Sequence, residues 1–364
     1  MKRLALLFAL TPLVAAAQPF PTDQNQKVRV QFLNRDSLMI NFGEQPMPEI
    51  KVGPKTGYKY PYLAACYGSY KGQPQYNLKF RIYSEDPFVA GSKGEQIARY
   101  LILLWNLNVL ELQLDHAERY SGIVDVYLTN KGKAGGEQFF GTEDFPGGTR
   151  NVNVMYVYDY KDLGSNLELM RVLSHEYGHA ALPPFGGFKA PEQWANGHMG
   201  ERLYMHWMLG NRLANNIGDN DLLGVPLPEL GSYLRNNVGK FVQRIMDRGL
   251  DMKVLAGTSA ESMNEFLGLM LTAEGLLPRS TFVNSFLFAP KRTAMGYLEG
   301  LKQAINETSG WQFNLASRQG KATWIPTGKA TVKGAKVLER MNIFTKVIPQ
   351  QQIVTAVNPA PKNK

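Results

Sequence analysis

Alternating apolar and polar residues predict β-strands in the first part of the chain. The pattern is clearest after Asn77, where Leu78, Phe80 and Ile82 alternate with longer polar side chains, as in a strand with one buried face. The preceding segment, 18–76, has only short alternating runs broken by Gly and Pro, which predicts a small strand-rich region. Two further strands, separated by a glycine-rich loop, are predicted at 123–128 and 152–160.

A helical spacing of apolar residues replaces this alternation in the middle of the chain. Segment 94–114 is rich in Leu, Ile and Ala without proline, which predicts a buried helix. The next helix begins after Ser165, which stands three residues before Glu168 in the S-x-x-E relation of a capping box, and ends before Pro183. Further helices are predicted at 191–213, with Pro191 in its first turn, and at 228–248, 260–274 and 293–305.

These elements predict an α+β fold. Short β-branched runs return after residue 311, followed by a polar tail that contains proline. The predicted parts are a signal peptide at 1–17, a strand-rich region at 18–76, an α/β lobe at 77–190, a helical lobe at 191–310, and a strand-rich region with a polar tail at 311–364.

The N-terminus predicts export. Lys2 and Arg3 provide a positive start, 4–14 is apolar, and three alanines ending at Ala17 form a small-residue cleavage site. Cleavage there predicts a secreted or periplasmic protein, with an uncleaved anchor as the alternative. No later segment has the roughly 18 to 20 uninterrupted apolar residues of a spanning helix, so we expect no integral membrane segment in the mature chain.

Charge and cysteine content narrow the classes of partner. The formal net charge of +9 is spread along the chain without a basic cluster or an aromatic-basic motif, so no nucleic-acid partner is expected. Cys66 is the single cysteine and cannot form an internal disulfide. We expect it to be a small buried apolar residue.

The segment SHEYGH at 174–179 is an H-E-x-x-H motif inside the second predicted helix. Histidines four residues apart share a helix face, so His175 and His179 can bind one Zn²⁺ at about 2.0 to 2.1 Å. Glu176 lies beside the metal and can take a proton from a zinc-bound water, whose pKa the metal lowers to about 7. With five histidines and 31 acidic residues in 364 positions, roughly 0.005 chance matches are expected. The motif therefore predicts a zinc cofactor; histidines that only pack or hydrogen-bond are the alternative.

A catalytic zinc needs a third protein ligand and an open position. Four of the five histidines lie between 175 and 206, and only His116 lies apart, as an ordinary surface or core histidine. Glu192, His198 and Glu201 compete for the third position. Gly197 and Gly200 would let the next helix approach the metal closely.

The motif, followed after 21 residues by Glu201, resembles the zincin metallopeptidases, in the branch whose third ligand is a glutamate on the next helix. The resemblance covers about 77–213. It implies a zincin-like two-lobed catalytic domain in which His175, His179 and Glu201 hold the zinc. The metzincin branch is disfavoured because Leu182 and Phe185 stand where its glycine and third histidine would be.

The resemblance also defines what surrounds the metal. Some zincins of this branch carry an aspartate that orients the first histidine, and Met205 occupies that position. Either another acceptor orients His175, or Glu201 is not the ligand. The family further implies an edge strand for an extended substrate, for which 152–160 is the candidate. Its transition-state oxyanion is stabilised by a histidine or tyrosine, and the candidates are His198, Tyr204 and His206.

The sequence thus predicts a secreted zinc metallopeptidase that hydrolyses a protein or peptide substrate, with Glu176 as the general base. The alternative from another class is a non-catalytic exported binding or envelope protein that retains a zincin-like fold and a structural zinc. Four protein ligands around the metal would favour this alternative. The oligomeric state and the cleavage specificity are left open.

Overall fold

The protein has a mixed α/β fold, seen in a computed structural model that describes residues 26–31, 37–69, 76–116, 122–145, 147–308, 312–318 and 321–327. The predicted signal peptide and the tail after residue 327 lie outside the described residues. No helix in the described ranges has both the length and the apolar character needed to cross a bilayer.

A mixed sheet of seven strands forms the centre of the fold. The described strands are β1 (Gln26–Gln31), β2 (Ser37–Phe42), β3 (Lys51–Val52), β4 (Lys59–Tyr60), β5 (Tyr62–Ser69), β6 (Tyr76–Ser84), β7 (Val124–Thr129), β8 (Gly135–Phe145), β9 (Gly148–Tyr158), β10 (Gln312–Arg318) and β11 (Lys321–Thr327). The sheet order is β1-β2-β5-β6-β7-β9-β8, with β6, β7 and β9 parallel to one another and the other pairs antiparallel. Strands from the predicted region 18–76 are thus part of this sheet.

Helices follow the sheet strands along most of the remaining chain. Their bounds are α1 (Lys93–Leu107), α2 (Asn166–Ala181), α3 (Asn196–Leu213), α4 (Leu227–Leu234), α5 (Lys240–Arg248), α6 (Met252–Leu255), α7 (Ala260–Leu276), α8 (Arg279–Leu287) and α9 (Ala294–Thr308). A π-helical turn, Asn108–Leu112, ends α1, and another, Arg235–Gly239, joins α4 to α5. The helical middle of the chain is confirmed, and β10 and β11 are an antiparallel pair of strands within the region predicted to be strand-rich after residue 311.

The central strands of the sheet have buried residues on both faces. Ile82 on one face belongs to the main core together with residues of helices α1 and α2, whereas Tyr83 on the other face stacks on Tyr127, which stacks in turn on Tyr156. The prediction of a single buried face for β6 is therefore wrong. The segment between β2 and β5 supplies Tyr60 to the second core, and Cys66 is fully buried, as expected.

Two predicted details near the motif are wrong. The candidate edge strand 152–160 corresponds to β9, which is an inner strand; β8 is the edge, in the segment predicted as a glycine-rich loop. Helix α3 begins at Asn196, five residues after Pro191. Ala195 N donates to Phe185 O at 2.7 Å, so the chain folds back on itself in this loop instead of starting a helix.

Candidate metal centre

Helix α2 brings the two motif histidines together. Ser165 caps its start by accepting a hydrogen bond from Glu168 N, while the Glu168 carboxylate accepts from Arg171 instead of completing the predicted capping box. The Nε2 atoms of His175 and His179 lie 3.2 Å apart on one helix face. Both rings are partly exposed, so the face is open to solvent.

Glu192, in the loop between α2 and α3, places its carboxylate next to these two nitrogens, so that three side chains offer donor atoms for a metal. One carboxylate oxygen lies 2.8 Å from His175 Nε2, and the other lies 3.2 Å from His179 Nε2. Tetrahedral zinc with ligands at about 2.0 to 2.1 Å places neighbouring donor atoms about 3.3 Å apart. The spacing and the chemistry of these three donors therefore fit a zinc ion.

Glu201 faces Nδ1, the other ring nitrogen of His175. Its Oε2 is 3.3 Å from His175 Nδ1, and its Oε1 accepts hydrogen bonds from Arg171 Nε at 3.0 Å and from Tyr233. His198 Nδ1 lies 3.7 Å from Glu201 Oε2, so His175, His198 and Glu201 form a second group of donors. Because Nδ1 and Nε2 point to different sides of an imidazole, one ion cannot use both groups through His175.

Asn196 holds the other motif histidine. Its Oδ1 lies 2.9 Å from His179 Nδ1, while its Nδ2 faces the carbonyl oxygens that end α2, including Leu182 O at 3.4 Å. One residue thus fixes the ring of His179 and the junction of α2 with α3. Sequence reasoning missed Asn196, Arg171 and Tyr233, because hydrogen-bond partners of ligands have no fixed spacing from the motif.

The candidate oxyanion residues occupy three different environments. His198 lies in the site: its ring packs edge-on against His175, and its Nε2 is 3.9 Å from Glu192 Oε1. That nitrogen is buried without a hydrogen-bond partner. Tyr204 donates instead to buried Asn108, and His206 faces Glu274, so neither is directed at the donors around Glu192. Met205 is fully buried and orients no histidine.

Glycines allow α3 to cross directly over the motif. A Cβ on Gly197 would lie 2.3 Å from His179 Nε2 and 2.4 Å from His175 Nε2. A Cβ on Gly200 would lie 2.5 Å from the Cα of Gly178, inside the motif. Gly197 and Gly200 therefore allow α3 to approach the motif helix closely, and the space beside the two Nε2 atoms depends on the missing side chain of Gly197.

Glu176 lies between α2 and the edge strand. It is 8% exposed, and a Cβ on Gly136 of β8 would meet its Cγ at 2.4 Å. Burial raises the pKa of Glu176, and the positive charge of His175 and His179 opposes this shift. A carboxylate with a raised pKa, next to a solvent-accessible donor group, is suited to exchange protons.

His175, Glu192 and Glu201 shift one another's pKa values because their charges lie close together. Burial lowers the pKa of His175, but the bonds to Glu192 and Glu201 outweigh it and raise that pKa to about 10. Burial raises the pKa values of Glu192 and Glu201, and the facing histidines overcome this and hold both well below their ordinary value. Two carboxylates therefore compensate the histidine charge.

His116 lies apart from the site, as predicted. It is a core histidine whose Nδ1 is 2.9 Å from the Tyr177 hydroxyl, and burial lowers its pKa to about 4.

No protein-family model matches this chain, and comparison with curated proteins gives no match either.

Proposed function

We propose that this chain is an exported zinc metallopeptidase of the zincin type. The observation that carries the proposal is the geometry of the H-E-x-x-H motif: the Nε2 atoms of His175 and His179 lie 3.2 Å apart, with the carboxylate of Glu192 next to both. Glu176 adjoins this donor group on the same helix. In this proposal the sheet and α2 form one lobe, and the helices from α3 onward form the other.

We assign the third ligand to Glu192 and give Glu201 a different role. Glu192 faces the nitrogens that the motif turns toward each other, whereas Glu201 faces the rear nitrogen of His175 and is already bonded to Arg171 and Tyr233. A carboxylate behind a metal-bound histidine fixes the tautomer and orientation of the ring. Glu201 is thus the acceptor that Met205 does not provide.

Glu176 carries the proton transfer. Zinc at this site would act as a Lewis acid and bring the pKa of a bound water toward about 7. Glu176 accepts the proton of the attacking water on its carboxylate and delivers it to the leaving nitrogen when the amide bond breaks. Its raised pKa favours holding the proton between these two events.

The edge strand supports a peptide as the substrate. β8 is the outermost strand of the sheet on that side, and its Gly136 packs against Glu176. Within the described residues β8 is an edge strand, and the edge of a sheet can bind an extended peptide through backbone hydrogen bonds, which would lay the peptide along the motif helix.

The test compares Glu176→Gln with the wild-type protein after export and purification. The variant should retain one zinc per chain and lose about 10²- to 10⁴-fold in hydrolysis of unstructured protein substrates, because only the proton carrier is removed. His179→Ala should lose the metal as well. A Glu176→Gln variant with full chelator-sensitive activity would contradict the role of Glu176.

One observation favours the non-catalytic alternative. His198 Nε2 is buried, has no hydrogen-bond partner and lies 3.9 Å from Glu192, so a small movement would make it a fourth ligand. Structural zinc has four protein ligands, whereas catalytic zinc keeps one position for water. X-ray absorption of the zinc-loaded protein distinguishes them: a water-derived ligand supports the enzyme, and three nitrogens with one carboxylate support the binding protein.

A further inference from the structure

The loop before α3 exposes a tryptophan that is close along the chain to the candidate ligand Glu192. Trp194 is two residues after Glu192 and is 47% exposed, whereas Ala195 and Asn196 immediately after it are buried. Aromatic side chains carry large apolar surfaces that are unfavourable to leave in water. An indole exposed at this place is suited to bind an apolar group that enters the site.

The position of Trp194 is fixed by its surroundings. Its backbone pairs with that of Gly186, and Phe188 N donates to Gln193 O at 3.4 Å across the same loop. The indole packs on Gly186, since a Cβ there would lie only 2.4 Å from Trp194 Cε3. Part of the ring is therefore held against the loop, and the exposed part needs little ordering before it binds a ligand.

Trp194 and the candidate ligand Glu192 lie in the same loop. Residues 189 to 194 are exposed or partly exposed, and within them Glu192 reaches both motif histidines. A substrate whose scissile bond lies beside these histidines would have a neighbouring side chain within reach of the loop, because successive residues of an extended chain are about 3.3 Å apart.

We propose that Trp194 forms a subsite for a large apolar or aromatic side chain of the peptide substrate, close to the scissile bond. This inference rests on the proposed function and adds the substrate class to it. Trp194 is a specificity-determining residue: it binds a side chain of the substrate and takes no part in the proton transfer by Glu176.

The first experiment maps the cleavage preference. The zinc-loaded protein digests a pool of unstructured proteins, and mass spectrometry identifies the cleaved bonds. Large apolar residues should be enriched at one position near the cleaved bond in the wild-type protein. Trp194→Ala should retain one zinc per chain and lose the enrichment, while Trp194→Phe should retain most of it because the aromatic face remains.

A matched peptide pair, with Phe or Ala at the enriched position, then gives the magnitude. The wild-type protein should prefer the Phe peptide by about 10- to 100-fold in kcat/KM, and Trp194→Ala should reduce the preference to about 3-fold or less. Leu213→Ala is the control, because Leu213 is also 47% exposed but ends α3, twelve residues beyond Glu201, or about 18 Å along the helix. It should behave as the wild-type protein does.

Binding without turnover gives an independent measurement. The zinc-loaded Glu176→Gln variant should bind the Phe peptide in calorimetry, and adding Trp194→Ala should weaken the affinity about 10-fold. If the wild-type protein binds zinc but cleaves no peptide, the proposed function fails. If it cleaves peptides and Trp194→Ala keeps the wild-type preference, the subsite alone is refuted.

Discussion

At the scale of single residues, the two carboxylates of the site, Glu192 and Glu201, differ in the histidine nitrogens that they face. Glu192 faces the Nε2 atoms of both motif histidines, and Glu201 faces Nδ1 of His175 only. Both have pKa values held low by the histidines, so both are charged at neutral pH. Charge alone therefore does not distinguish a ligand from an orienting group, and the nitrogen that each carboxylate faces does.

This difference predicts unequal losses of zinc affinity. Glu201→Gln should weaken zinc binding about 10- to 100-fold, the usual cost of losing an orienting partner, whereas Glu192→Gln should cost more than 100-fold. Competition with a chromophoric chelator measures both constants. Glu168→Gln is the control, because Glu168 also bonds to Arg171 but does not face a histidine. A larger loss for Glu201→Gln than for Glu192→Gln would make Glu201 the ligand.

At the scale of elements, the site is the crossing of α2 and α3. Gly178 and Gly200 bring the two backbones into contact, and Gly197 leaves space at the paired histidine nitrogens. Asn196 joins the end of one helix to the beginning of the other. The proposed ligands lie at this crossing, so we expect its geometry to affect metal binding without any change in the ligands themselves.

Gly200→Ala should disturb the crossing. The added Cβ would meet Gly178 Cα at 2.5 Å and Ser174 O at 2.8 Å, both on the backbone of α2, so the helices must separate. We expect a loss of about 1 to 3 kcal/mol in the free energy of unfolding, the usual cost of overpacking, together with weaker zinc binding.

Gly210→Ala supplies the matched control on the same helix. A Cβ there meets nothing within 4 Å, so the substitution should stabilise the protein by about 0.5 to 1 kcal/mol through helix propensity. Urea unfolding of the metal-free proteins measures both changes. Equal effects of the two substitutions would show that the crossing is not tightly packed.

At the scale of the whole molecule, local patterns were predictable and long-range pairings were not. The motif helix, its start at Ser165 and the position of Gly197 follow from spacings of a few residues. By contrast, the sequence GGEQFFGTEDF of β8 lacks regular apolar alternation, because residues 135–144 are all exposed or only partly buried and neither face of the strand is a core face. The place of Glu192 beside both motif histidines was not predictable either, because it depends on how Phe185 pairs with Ala195 across the loop.

Zinc would connect helix α2 with the loop before α3, so it should stabilise the whole chain in a way that depends on pH. In the metal-free protein the pKa of His175 is about 10, above the roughly 6.5 of an unfolded histidine. A raised histidine pKa gives stability that is complete below about pH 6.5 and is lost as pH rises toward 10, by at most ~1.4 kcal/mol per pH unit.

The metal-free protein should therefore lose stability between about pH 7 and 9.5, while the zinc-loaded protein should not lose this contribution, because the metal replaces the proton on Nε2. The difference in Tm between the two forms should widen over this range. His175→Gln should remove both the pH dependence from this group and the effect of zinc. Metal-free stability that rises with pH in this window would mean that Glu192 and Glu201 do not hold His175 in its protonated form.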